Sequence, residues 1–293
     1  MRIVRFSQNE EIGFGVIDVE KNMIYSNHDL MKVVTYEELI GLIAELNTKD
    51  LFASELYVGK FTSEFVPDSV KLLAPVVPTK NILCIGKNYY DHVLEFDGSL
   101  DDIERIKENP IFFSKALSSI IGPEDEIDPH TEVTKSLDYE AELGVIIGKT
   151  CKNVSYEEAL DYVFGYTIIN DVTARDVQKR HQQWFLGKSF DTFCPIGPWV
   201  VTADEIGNPN DLAITLDVNK ERRQESNTSL MIHDIAKQIS ILSKGMTLNP
   251  GDVIATGTPK GVGIGYEPPR YLASQDVVTI NINKIGTLTN KIK

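Results

Sequence analysis

The chain has 293 residues, 42% hydrophobic and 25% charged, the balance of a globular protein with room for one large domain or a large and a small one. Its net charge of −14 argues against nucleic acid and anionic membrane as partners, because both need a positive surface, but leaves a locally basic pocket open. No apolar run approaches the roughly eighteen residues of a membrane span, and the first residues lack a charged-then-apolar leader pattern, so the expected location is cytoplasmic.

Residues 1 to about 70 open with short β-like runs, MRIVRF, GFGVIDV and MIYSN, broken by polar turns. A helical pattern follows in TYEELIGLIAEL, with apolar residues at three and four spacing. Nothing here forms a catalytic constellation, so residues 1–75 read as a small N-terminal α+β domain with a packing or oligomeric role. LLAPVVPTK, with two prolines among apolar residues, reads as an extended linker into residues 76–293.

NILCIGKNYYDHVLEF starts as an apolar strand and turns polar. His92 and Glu95 stand three apart, which on a helical turn puts them in contact. A carboxylate beside an imidazole fixes its tautomer and raises its basicity, giving a base able to deprotonate water; the plainer alternative is an ordinary exposed pair. FDGSLDDIERIKENP suits either a lid ordered by ligand or, more simply, a solvated loop and helix. In PIFFSKALSSIIGPEDEI, Lys115 sits among apolar neighbours, which is unusual unless its ammonium meets an anion.

LDYEAELGVIIGK reads as a strand. Alternation along it places Glu140 and Glu142 on one face and Tyr139, Ala141 and Leu143 on the other. Two neighbouring carboxylates repel, and one would hold its proton unless a cation lies between them. SYEEALDYVFG reads as a short helix returning to a second strand, Tyr166 to Asn170, that ends at Asp171, where a third carboxylate can join the first two. Three oxygen ligands with no Cys or His nearby describe a hard cation, Mg²⁺ or Mn²⁺ rather than Zn²⁺. TARDVQKR reads as a helix with Thr173 as N-cap and with Arg175 and Gln178 facing the same way, able to clamp a carboxylate or keto oxygen. The alternative is a surface helix, a serious rival for Lys179 and Arg180.

Lys188 follows Gly187 just before a polar-aromatic strand, and Cys194 in that strand reads as a packed thiol. Cys84, Cys151 and Cys194 are an odd, scattered set without CxxC, so neither a disulfide framework nor a zinc site is expected. DLAITLDVNKERRQESNT reads as a hairpin, and MIHDIAKQISILSKGMTLNPG as an amphipathic helix with His233 in a structural or solvent-facing place. In DVIATGTPKGVGIG a strand enters a Gly-rich turn where Thr258 and backbone N–H groups could hold an anion; it fits neither GxGxxG nor a P-loop, so no nucleotide is implied. VVTININKIGTLTNKI alternates as a closing strand pair.

Taken in order, IGKNYYDHVLE, LDYEAELGVIIGK, GYTIINDVTARDVQ, GKSFDTFCPIGPW and GDVIATGTPKGVG resemble the fumarylacetoacetate hydrolase superfamily, in its bacterial acylpyruvate hydrolase and oxaloacetate decarboxylase-like branch. The resemblance implies an α+β, predominantly β fold, a mixed β-sandwich roll, usually a homodimer, with Mg²⁺ or Mn²⁺ on Glu140, Glu142 and Asp171. It places Arg175, Gln178, Lys188 and Thr258 at substrate-contact positions and His92 with Glu95 as the catalytic dyad of the lid; Lys188 is counted with the catalytic groups, and Lys115, from its own apolar setting, as a further substrate contact. The additional Asp ligand of the eponymous hydrolase has no counterpart in CIGKNYY, which favours the smaller branch. The implied substrate is a small anionic 2-oxo acid whose carboxylate and oxo oxygens chelate the metal, which then stabilises an enolate. The leading expectation is acylpyruvate-type hydrolysis releasing pyruvate, with water activated by His92 and Glu95. Oxaloacetate decarboxylation and 2-hydroxyhepta-2,4-diene-1,7-dioate isomerisation share the same electron sink. The rival of another class is a noncatalytic metal- or partner-binding protein on the same fold.

Overall fold

Two β-sheets carry the fold of the computed structural model, which describes residues 1–33, 36–45, 62–95 and 99–293. The larger has 12 strands, with a central path through Ser63–Phe65, Met23–Ser26, Glu11–Asp18, Arg2–Gln8, Cys194–Thr202, Val163–Asn170, Ala141–Ile147, Val253–Ala255, Ile82–Gly86 and Ile111–Lys115. The smaller has five strands, in the order Glu221–Asn227, Ala213–Val218, Val277–Ile282, Gly286–Ile292 and Glu126–Ile127. Most neighbours are antiparallel; Val253–Ala255 beside Ile82–Gly86 and Gly286–Ile292 beside Glu126–Ile127 are parallel. The architecture is predominantly β with a small N-terminal domain, as the sequence implies.

Ala141–Ile147 is buried at every position because both its faces are covered. Leu143, Val145 and Ile147 join a core with Leu216, Ile280 and Leu288 of the smaller sheet, which closes the sandwich. Ile146 points to a second core shared with Met1, Ile3, Val16 and Cys84. The hairpin Ala213–Val218 to Glu221–Asn227 turns through Asn219 and Lys220, both at positive φ (52° and 69°), the backbone that two-residue hairpin loops favour. The helix Ile235–Gly245 is capped by Asp234, whose side chain accepts from the Lys237 N–H.

The N-terminal strands do not form a separate sheet. Arg2–Gln8 pairs with Cys194–Thr202, so the larger sheet runs unbroken from the N-terminal region into the body. LLAPVVPTK is accordingly more than a linker: Lys71–Leu73 pairs with Arg2–Gln8, and Ala74 and Val76 are buried in the second core. The helix expected in TYEELIGLIAEL spans Tyr36–Glu45; Thr35 and Leu46 lie outside the described residues.

Two local expectations are corrected. SYEEALDYVFG contains a 3₁₀ turn, Ala159–Tyr162, in place of a helix, because the chain re-enters a strand at Val163 and has no room for further turns. Thr173 does not cap the following helix. It pairs in a two-residue ladder with Asp138, its hydroxyl donates to the Asp171 carbonyl at 2.9 Å, and Ala174 takes the cap position of Arg175–Arg180 without a side-chain bond. In the candidate lid, Phe96, Asp97 and Gly98 lie outside the described residues. Beyond them Ser99 and Asp102 form a capping box on Leu100–Glu108, and Ile103 and Ile106 pack on Val93. No helix among the described residues is long and apolar enough to cross a membrane.

Candidate active site

Glu140, Glu142 and Asp171 converge because their strands are paired. Ala141 faces Asn170 across the ladder, and the Asp171 N–H donates to the Glu140 carbonyl at 2.9 Å, so the strand ends meet. Tyr139, Ala141 and Leu143 all turn into the inter-sheet core, as the alternation requires. The three carboxylates are buried and each offers an oxygen within 4.8 Å of the others. Glu140 and Glu142 line a cavity of about 400 Å³ whose wall also includes Arg175, Gln178, Lys188 and Thr258, with His92, and Asp171 is buried beside them.

Cations already partly balance this cluster. Lys188 Nζ donates to Glu140 Oε2 at 2.8 Å and to Asp171 Oδ2 at 2.7 Å; Arg175 Nη1 meets Glu140 Oε1 at 2.7 Å. Burial alone would raise Glu140, but the charges of Lys188, Arg175 and His92 outweigh it and hold its carboxyl at about 2. Glu142 goes the other way: burial first, then the Asp171 and Glu140 carboxylates, push it well above the ordinary 4.5, against the Lys188 charge and a Gly257 N–H bond at 2.9 Å. The mutual repulsion within the triad thus falls on Glu142, and a further cation would relieve it. Burial would lower the Lys188 ammonium, yet Asp171 and Glu140 raise it, so it stays charged.

This donor set fits a hard divalent cation. It is oxygen-only, three carboxylates converge, and their repulsion raises Glu142 for want of further positive charge.

Across the cavity, His92 Nδ1 lies 3.0 Å from Glu95 Oε2, and Glu95 Oε1 accepts from the Gly261 N–H at 2.8 Å. The three-residue spacing does put this pair in contact: His92 belongs to the short helix Tyr90–Leu94, and Glu95 closes it as C-cap. Gln178 Oε1 accepts from Arg175 Nη1 at 3.1 Å, and Thr258 Oγ1 accepts from Gln224 Nε2 at 2.8 Å. Lys115 stands apart from the other expected substrate contacts. It meets an anion, but that anion is Asp171 Oδ1 at 2.6 Å. Its ammonium also donates to the Val172 and Lys188 carbonyls, so it lies wholly buried behind the triad and is absent from the cavity wall. Lys179, by contrast, reaches the cavity mouth.

Several residues were not singled out in the sequence. Phe113 and Trp184 wall the cavity in an edge-to-face pair with centroids 5.4 Å apart, and Trp184 lies where a Cβ on Gly86 would sit. Buried Gln224 links the triad strand to the glycine turn, accepting from Ala141 N–H and donating to Thr258 and the Pro259 carbonyl. No local spacing marks it, since its partners lie far along the chain. Cys194 is buried beneath the site, and burial pushes its thiol up to about 12, consistent with a packed, unreactive group. His233 is buried and structural, its Nε2 2.9 Å from the Ile106 carbonyl.

Residues 81–293 match the family described as fumarylacetoacetate (FAA) hydrolase C-terminal, and residues 1–75 match Rv2993c-like, N-terminal. The chain belongs to the fumarylacetoacetate hydrolase family. It is 52% identical over 224 residues to the oxaloacetate tautomerase YisK of Bacillus subtilis, covering 76% of this chain and 73% of that protein. Among solved structures, a fumarylacetoacetate hydrolase from Exiguobacterium antarcticum superposes with a TM-score of 0.84 at 41% identity, covering 100% of this chain and 99% of the other. Maleylpyruvate hydrolase from Sphingobium sp. SYK-6, in complex with manganese(II) and pyruvate, gives a TM-score of 0.77 at 30% identity, covering 100% and 98%.

Proposed function

We propose that the protein is a divalent-cation-dependent enzyme that moves a proton at C3 of a small 2-oxo acid, interconverting the keto and enol forms of a dicarboxylate such as oxaloacetate. The observation that carries this reading is His92, paired with Glu95, on the wall of the cavity that Glu140 and Glu142 also line, with Asp171 beside them. Mg²⁺ or Mn²⁺ held by these three carboxylates would polarise the 2-oxo group and favour the enolate. Glu95 keeps the His92 proton on Nδ1, which makes Nε2 the basic nitrogen. It takes the C3 proton as the 2-oxygen gains one to give the enol, and in the reverse direction it returns a proton to C3 as the enol oxygen loses its own. Arg175, held by its own carboxylate partners, binds an anionic oxygen of the substrate, and Lys188 bridges Glu140 and Asp171. The enclosing Phe113 and Trp184 limit water at the reacting carbon.

The tautomerase named among the relatives supports proton transfer ahead of carbon–carbon cleavage. Hydrolysis of an acylpyruvate is the second reading: the same dyad can activate a water, and the manganese–pyruvate complex of the maleylpyruvate hydrolase favours it. The test follows decay of the enol absorbance of freshly dissolved oxaloacetate alongside pyruvate release from oxaloacetate and from acetylpyruvate, with Mg²⁺ or Mn²⁺ and with EDTA. Metal-dependent enol decay without pyruvate is the expected result. Pyruvate from acetylpyruvate would establish the hydrolase instead, pyruvate from oxaloacetate a decarboxylase, and no turnover of either substrate would overturn the proposal.

A further inference from the structure

Asp138 is wholly buried two residues before Glu140, in the ladder Leu137–Asp138 to Thr173–Ala174, and it does not line the cavity. All four of its hydrogen bonds are nonetheless to parts of the site or its supports. Oδ1 accepts from the Tyr139 N–H at 2.9 Å and the Gly263 N–H at 2.6 Å; Oδ2 accepts from the Ile264 N–H at 3.0 Å and from Arg175 Nε at 2.8 Å.

On the Arg175 side, the guanidinium is held in plane by Asp138 at Nε and by Glu140 and Gln178 at Nη1. Nη2 is left buried without a hydrogen-bond partner, on a residue that walls the cavity. A buried donor of this kind calls for an acceptor, and an anionic oxygen of a ligand supplies it.

On the other side, the glycine turn passes between two carboxylates. Tyr139 OH donates to the Gly261 carbonyl at 3.0 Å while the Gly261 N–H donates to Glu95. A Cβ on Gly263 would stand 2.6 Å from Asp138 Oδ1, and one on Gly265 would stand 2.1 Å from Glu95 Oε1. The turn is thus gripped by Asp138 and Tyr139 from below and receives Glu95 from above.

We infer that Asp138 is a positioning residue that sets two groups at once: the orientation of Arg175 toward an anionic ligand, and the glycine turn on which the Glu95 of the His92 pair is seated. Ligand binding at Arg175 and seating of the dyad are coupled through this one carboxylate. The inference deepens the reading of this cavity as a 2-oxo acid site and rests on it.

Asp138→Asn separates the possibilities. The amide keeps an acceptor for Tyr139 and Gly263 and sets an NH₂ group against the Ile264 and Arg175 donors. Three readouts apply: oxalate affinity with Mg²⁺ by calorimetry, amide hydrogen exchange of peptides covering 88–95 and 259–266 in the metal-free protein, and oxaloacetate turnover in a cycle with Glu95→Gln. The expected result is an oxalate affinity weakened about tenfold or more, from loss of a charge-assisted bond that orders Arg175. Exchange should quicken in both peptides, and the double variant should turn over no more slowly than Glu95→Gln alone. Unchanged oxalate affinity, exchange that rises only around residue 138, or fully additive losses would overturn the inference and leave Asp138 a purely structural carboxylate. Failure of the unsubstituted protein to bind oxalate would count against the cavity reading instead, and the exchange data would still decide whether Asp138 couples the turn to the dyad.

Discussion

Replacing Lys188 by Met should destabilise the metal-free protein and at the same time enlarge its response to Mg²⁺. The ammonium is almost fully buried and bridges Glu140 and Asp171 at 2.8 and 2.7 Å, and Met fills nearly the same volume without the charge. Removing one partner of a buried pair costs on the order of 3–5 kcal/mol, because the remaining charges stay desolvated. Lys115 on Asp171 and Arg175 on Glu140 soften the loss, which points to the lower end, about 3 kcal/mol. For a chain of this size that corresponds to a fall in Tm of roughly 5–10 °C. Of the cations bonded to this cluster, Lys115 and Arg175 would then remain, and a dication supplies the missing charge. Thermal unfolding in EDTA and across a Mg²⁺ titration tests this, with Lys188→Arg as the charge-retaining control. An unchanged Tm in EDTA, or a Mg²⁺-induced rise no larger than in the unsubstituted protein, would refute the reasoning.

Other substitutions and conditions probe the remaining parts of the site. Gly265→Ala should displace Glu95, whose Oε1 lies 2.1 Å from the new methyl, and lower turnover about as much as Glu95→Gln while Mg²⁺ affinity, measured by calorimetry, stays the same. His92→Gln should cost roughly a hundredfold in the enol-decay assay, the contribution of a positioned general base, and a loss under about threefold would remove His92 from the mechanism. Glu140, held at about 2, contributes stability that is present above pH 4.5 and lost as the pH falls from there toward 2. Glu142, held above 4.5, has the opposite sign: metal-free stability is lost as the pH rises from 4.5 through its folded value. Mg²⁺ binding should therefore release a proton on the acidic side of that value, seen as a buffer-dependent binding enthalpy, and a buffer-independent enthalpy there would show Glu142 already ionised.

The parts of the site that local pattern encodes were legible in the sequence. Strand alternation sorted Glu140 and Glu142 from Tyr139 and Leu143, and a three-residue spacing paired His92 with Glu95. What escaped depends on contacts distant in the chain. Lys115 could be read as needing an anion, but which anion, Asp171 or a ligand, is decided by a strand pairing 56 residues away. Thr173 looks like a cap until its backbone is claimed by the ladder with Asp138. Asp138 itself stands inside a quoted motif, yet its importance lies in Gly263 and Ile264, 125 and 126 residues later. The N-terminal region read as a separate unit because its own strands alternate well; that Arg2–Gln8 completes the body's sheet needs a partner about two hundred positions on.

That pairing has a consequence for truncation. Cys194–Thr202 is hydrogen-bonded to Val163–Asn170 on one side and, at Val200 and Val201, to Arg2 and Ile3 on the other. A catalytic fragment lacking the N-terminal residues would expose the Val200–Val201 end of this largely apolar strand as an unpaired sheet edge, the geometry that recruits other chains into extended β-pairing, while Ile120–Ile121 still covers Cys194 and Pro195. The N-terminal strand thus covers the part of this edge, around Val200 and Val201, that the body's own Ile120–Ile121 leaves unpaired.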